Sequence, residues 1–399
     1  MLNPMNQYIG SFEFDVCTRA AVLGRIGWPA PRDPDLWMRS MAGVVDEGLA
    51  GLALGVIGPE LAAGEVGAAL RQAATDRALE SMLIDGCTAP VLAELQTRGL
   101  PFVVMKGPAA ARFYPSVSDR PYTDIDIIVP VALFTQVRKL LDDLGMRANP
   151  DVSQPWPHFD RWCREGVNLA RDDGAALDLH HHIPPWRWGH RLSFERIRAQ
   201  ADVIDIAGVD APVVGVAHHL AISVLHLLSD SWHRRMAMLT LADIVNAAQL
   251  GPTTHIAEEL RWLRVDWLVA DVLDTFPAGV VPAELRSQLR STGPLIERSI
   301  LQRVLPPSMS SRHPLAFALR LPARNMAAFV AGSAVPSPAY MRRRYGSSSA
   351  YPRWWRQATR WGLDAAAGRD VGSPHAAHRL DVTPTGDAGP NPPATMVRC

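Results

Sequence analysis

Lysine is nearly missing from this 399-residue chain. Of its 40 basic residues, only Lys106 and Lys139 are lysine. Cysteine is scarce as well: Cys17, Cys87, Cys163 and Cys399 are scattered without the paired spacing of a metal site. Free thiols in a reducing cytoplasm are therefore expected. Formal net charge is zero, which removes any global case for nucleic acid or an anionic membrane surface as partner. No stretch reaches the roughly 18 uncharged apolar residues of a membrane span. The N-terminus lacks the basic, apolar and small-residue succession of a secretory signal. What remains has an ordinary soluble composition and enough chain for a sizeable core in two or three domains.

Residues 1 to 98 read as helical. Leu79, Met82, Leu83, Cys87, Val91, Leu92 and Leu95 recur at helical spacing, which predicts one amphipathic helix, and Gly99 suits its C-terminal cap. Pro101–Met105 reads as a short buried strand, broken by Gly107-Pro108. A strand over 123–129 and a helix over 132–144 follow, then a loop over 149–157. Two hairpins are expected. One joins 166–170 to 175–180 through Asp172-Asp173-Gly174; the other spans 201–214 and turns near Gly208-Val209-Asp210. From 217 to 249 and from 255 to 276 the pattern is helical, and shorter helices follow to about 331. The whole predicts an α+β fold. Its units are a helical region over 1–98, a core over 99–214, a helical domain over 215–335, an Arg/Trp-rich segment over 336–367 and a disordered tail over 368–399.

Chemistry concentrates around Thr123-Asp124-Ile125-Asp126-Ile127-Ile128-Val129. On a strand, Asp124 and Asp126 project from one face and the isoleucines from the other. Aspartate is depleted in strands, and two on one face repel each other. A divalent cation with oxygen ligands is the economical remedy; a solvated edge strand is the bland alternative. On the second hairpin strand Asp178 and His180 share a face, so pairing with the acidic strand would bring three carboxylates together. With two Mg²⁺ about 4 Å apart, three carboxylates suit an in-line displacement at phosphorus. Lys106, Arg120 and the amides around Gly107 would add charge for phosphates. Arg120 could instead pair with Asp124 or Asp126 when no metal is bound.

Together these features resemble the nucleotidyltransferase superfamily built on the polymerase-beta-like minimal fold. More narrowly, the chain is similar to the bacterial "uncharacterised nucleotidyltransferase" family over roughly residues 40–290. The matching residues are Lys106-Gly107, Tyr114-Pro115, Arg120-Pro121, Asp124-Ile125-Asp126 and Asp178-Leu179-His180. His226, Trp232 and Asp243-Ile244 match a later helical motif loosely. The resemblance implies a minimal core sheet with flanking helices and an NTP as co-substrate. It implies Mg²⁺, with Mn²⁺ an alternative, on Asp124, Asp126 and Asp178. It also implies transfer of an NMP to an unidentified acceptor: a small molecule, a peptide or protein, or RNA. One departure stands out: the superfamily usually has Gly-Ser or Gly-Gly where this chain has Gly107-Pro108. Proline donates no amide, which leaves Arg112 or Lys106 to replace a phosphate contact. A catalytically silent module of the same fold and a γ-phosphoryl transferase are the competing readings.

Three further patterns stand out in the sequence. His180-His181-His182 cannot converge on one ion, because adjacent strand residues face opposite ways; His180 suits a supporting role beside the carboxylates. His219, His226 and His233 at seven-residue spacing fit a helix core or interface, with a functional role for His226 as the alternative. The Arg/Trp cluster over 342–361 fits either an RNA grip or a helical surface patch.

Overall fold

A computed structural model describes residues 16–24, 29–148, 159, 163–230, 234–290, 293–304 and 321–366. The 149–157 loop, Trp232, His233 and the 368–399 tail with Cys399 lie outside the described residues. Helices come first: α1 (Val16–Leu23), α2 (Pro34–Asp46), α3 (Ala50–Leu54), α4 (Pro59–Ala63) and the 33-residue α5 (Glu65–Thr97). α2 begins on Asp33, whose carboxylate accepts from the amide of Asp35 at 2.9 Å, with Pro34 fixing the first turn.

The sheet follows as β1 (Val103–Val104), β2 (Ile125–Ile128), β3 (Arg147–Ala148), β4 (Gly166–Ala170), β5 (Ala176–His180), β6 (Asp202–Ile206) and β7 (Val209–Val213). The short helix α6 (Pro108–Ala111) separates β1 from β2, and α7 (Phe134–Asp143) separates β2 from β3. The fold is α+β, with a mixed sheet of order β3-β4-β5-β2-β1-β7-β6 among the described residues. β2 runs parallel to β5 and antiparallel to β1, while β4–β5 and β6–β7 are antiparallel hairpins. The second hairpin turns one residue earlier than expected. Ala207 and Gly208 both take positive φ (47° and 87°), and Ile206 pairs with Val209. Two successive left-handed residues make the tight turn whose twist matches the flanking strands, so Val209 and Asp210 belong to β7.

After the sheet, α8 (Val216–Asp230) packs on α9 (Arg234–Leu250), α10 (Thr253–Trp262) and α11 (Asp266–Leu273). α5 crosses the sheet, touching β2, β5, β6 and β7. One continuous apolar core runs from Cys17 through the strands to Leu289, so helices before and after the sheet share an interior with it. The Arg/Trp-rich segment forms two helices, Pro338–Tyr345 and Tyr351–Ala366. There Tyr340, Met341 and Trp354 make a small cluster of their own. Among the described residues, no helix is long and apolar enough to cross a membrane.

Candidate active site

β2 and β5 lie side by side in parallel, and their register sets Asp126 directly opposite Asp178. The apolar neighbours Ile125, Ile127, Leu177 and Leu179 are all fully buried on the other face. Alternation thus drives both carboxylates to one side. Asp124 sits one residue before β2, partly exposed. Lys106, at the end of β1, places its Nζ 3.2 Å from Asp126 Oδ1. His180, two residues beyond Asp178, brings Nε2 to 3.1 Å from the same oxygen. Asn168 on β4 donates its amide to both oxygens of Asp178, at 2.6 and 2.5 Å. Lys106, Asp124, Asp126 and Asp178 border a cleft of about 300 Å³, with His180 and Asn168 behind its lining.

Three carboxylates in one half-buried place disturb one another. Burial pushes Asp124 up to about 7, reinforced by the charges of Asp126 and Asp178 and opposed by Lys106 and Arg120. Burial would also raise Asp126, yet Lys106 and the His180 hydrogen bond outweigh it and hold that carboxyl well below the usual range. Asp178 is raised by burial and then by Asp126. The cluster therefore holds more negative charge than Lys106 alone offsets, which is the electrostatic profile of a cation site. One ligating atom each from Asp126, Asp178 and His180 lie within 4.8 Å of one another. Asp124 faces the same cleft outside that trio. Oxygen-rich donors at this spacing fit a hard divalent cation.

The other residues singled out in the sequence divide in two. Gly107, Arg120 and His226 line the cleft. Gly107 has φ 58°, and a Cβ there would meet the carbonyl oxygen of Asp124 at 2.9 Å. Arg120 pairs with neither Asp124 nor Asp126. Its guanidinium grips Asp243, Nε to Oδ1 at 3.1 Å and Nη2 to Oδ2 at 2.8 Å. Arg112 lies away from the cleft lining, paired to Asp202 at 2.8 Å and donating to the carbonyl of Val214 at 2.7 Å. His182 stacks on Trp186 instead of facing the carboxylates. Cys17, Cys87 and Cys163 are buried and form no disulfide.

Sequence reasoning missed several residues of the site. Asn168, which holds Asp178 from β4, had no signal beyond its strand. Asp46, Glu47, Arg77 and Glu80 come from α2, α5 and the turn between α2 and α3, and Leu239 and Thr240 from α9. Tyr122 also lines the cleft, its hydroxyl donating to Asp85 at 2.6 Å.

A mixed sheet thus opposes two aspartates across parallel strands, with a third acid and a lysine at the same cleft, and forms a candidate metal-binding site. The chain belongs to the family described as "Uncharacterised nucleotidyltransferase", whose model matches residues 42–269, more than half of the chain. Among solved structures it is similar to an antigenic nucleotidyltransferase-like protein from Paracoccidioides brasiliensis. Identity is 14%, the TM-score 0.29, and the alignment covers 50% of this chain and 96% of that one. No curated protein matches the chain.

Proposed function

We propose that this protein is a metal-dependent nucleotidyltransferase of the cytoplasm. It would move an NMP from an NTP to an acceptor hydroxyl or phosphate and release pyrophosphate. The observation that carries this reading is the in-register Asp126–Asp178 pair, with Asp124 on the same cleft, in a member of this family. Asp124, Asp126 and Asp178 would hold two Mg²⁺, or Mn²⁺ in their place. Such ions, when bound, neutralise developing phosphate charge and make an acceptor hydroxyl more acidic. Asp178, held by Asn168, stands on the acceptor side and helps remove the acceptor proton. An acceptor-oxygen bond to the α-phosphorus forms, the bond from that phosphorus to the bridging oxygen breaks, and pyrophosphate leaves with the electron pair. Lys106 supplies positive charge for the phosphates from the floor of the cleft. Asp46, Glu47, Arg77 and Glu80 also line the cleft.

Each of the four NTPs, labelled at the α- or the γ-phosphate, is incubated with the protein, Mg²⁺ and a cell lysate. Transfer of α-label with release of pyrophosphate is the expected result. Transfer of γ-label would make the protein a kinase-like enzyme. Absence of any transfer would make it a binding module.

A further inference from the structure

Asp243 lies on α9, in the helical region beyond the sheet, and is not one of the cleft carboxylates. Its Oδ1 accepts from Tyr114 Oη at 2.7 Å and from Arg120 Nε at 3.1 Å, and its Oδ2 accepts from Arg120 Nη2 at 2.8 Å. Tyr114, Arg120 and Asp243 are 7%, 8% and 4% exposed. A two-pronged guanidinium–carboxylate contact sealed from water is rigid, and removing one partner strands a buried charge. With its fork filled by Asp243, Arg120 has less to offer a phosphate.

What Arg120 does hold is backbone. The run from Pro121 to Asp124 has no ladder partner until β2 begins at Ile125. Side chains from flanking helices fix it instead. Ser81 Oγ on α5 bridges both the amide and the carbonyl of Tyr122 at 3.0 Å, and Tyr122 Oη reaches Asp85 on the same helix. Arg120 Nη1 donates to the carbonyl of Pro121 at 3.3 Å while its other nitrogens hold Asp243. At Gly51 on α3 the backbone comes so close to Asp119 that a Cβ would sit 2.8 Å from its Cα. Helices before and after the sheet therefore grip the segment that delivers Asp124 and leads into Asp126.

We propose that Asp243 is a positioning residue. Acting through Arg120, it fixes the 120–124 segment and so sets where Asp124 and Asp126 stand relative to Asp178. The consequence for metal binding rests on the proposed reading of the cleft; the consequence for the backbone does not.

The test uses full-length Asp243→Asn, Arg120→Lys and Tyr114→Phe, with two readouts: hydrogen exchange by mass spectrometry and Mn²⁺ affinity by electron paramagnetic resonance. Asp243→Asn keeps the shape but unbalances the charge. It should speed exchange across 119–127 by about tenfold or more while α9 and β4–β5 stay protected. Mn²⁺ affinity should fall about tenfold, as when a ligand's supporting partner is lost. Arg120→Lys should behave alike, since one ammonium cannot span both carboxylate oxygens. Tyr114→Phe leaves the fork intact and should give a smaller, still local rise. Uniformly faster exchange across the fold would overturn the proposal, as would unchanged 119–127 exchange in folded Asp243→Asn. Should Asp243→Asn not fold, Tyr114→Phe decides between a local and a uniform change. If the wild-type protein binds no Mn²⁺, the reading of the cleft fails, and the exchange data still judge Asp243.

Discussion

Gly107 occupies a backbone conformation that side chains avoid, φ 58° and ψ −120°, against the carbonyl of Asp124. Alanine there meets two penalties: the strained conformation, about 1–3 kcal/mol, and a close contact that must push the Asp124 backbone aside. Gly99 has a similar φ of 64°, but open space where a Cβ would stand. Gly107→Ala should therefore lower the urea midpoint and also cut the transfer rate. Gly99→Ala should cost about 1–2 kcal/mol of stability and leave the rate alone. Equal rates in the two variants would contradict this placement. Among single residues, the paired aspartates were legible because alternation with isoleucine settles which way each carboxylate points. Arg120's partner was not legible: Asp243 lies 123 positions away, and nothing local marks a buried ion pair.

At the scale of elements, α5 shows what periodicity tells and what it does not. Leu79, Met82, Leu83, Val91, Leu92 and Leu95 share helical spacing, yet the first three are 58%, 67% and 50% exposed while the last three are buried. A helix of 33 residues is about 50 Å long, more than the sheet it crosses. Val66, Leu70 and Ala74 near its start are buried, where it packs on α2, α3 and α4, and Val91, Leu92 and Leu95 are buried towards its end; Leu79, Met82 and Leu83 lie between. Spacing identifies residues on one face; it does not say how far the covering layer extends. Leu92→Ala should cost about 2–5 kcal/mol in denaturant unfolding, and Leu79→Gln should stay within about 0.5 kcal/mol of wild type. Comparable losses would mean that Leu79 is as closely packed as Leu92. Hairpin strands were readable from alternation and turn glycines. The β2–β5 adjacency that brings Asp178 to Asp126 is a non-local pairing, which no local pattern encodes.

At the scale of the molecule, the described helices before the sheet and those after it as far as Leu289 share a single core with the strands, and both sets contribute to the cleft walls. That unity carries a pH dependence. Burial holds His219 down to about 4, with Arg120 and Arg112 opposing its charge and Asp243 favouring it. In the unfolded chain the same imidazole binds its proton near 6.5, so the unfolded state takes up protons first as pH falls and stability drops. Between pH about 7.5 and about 5 this one group should remove about 2 kcal/mol. The unfolding free energies from urea melts at those two pH values should differ less in His219→Gln by that amount. An unchanged difference would mean that His219 is not held neutral in the fold. Asp243 acts in a separate window. Its carboxyl is held low: burial would raise it, but Arg120 outweighs burial. The stability it contributes is therefore present above the ordinary carboxylate range and lost only as pH falls through its lowered value.

Nucleotidyl transfer at the Asp124–Asp126–Asp178 cleft is read out by pyrophosphate release coupled to α-label transfer. Wild type is compared with folded Asp126→Asn and Asp178→Asn. Wild type should transfer the label, and each variant should lose about a thousandfold, the several kcal/mol a cation ligand contributes to such a transition state. Undiminished α-label transfer in either variant would contradict transfer at this cleft.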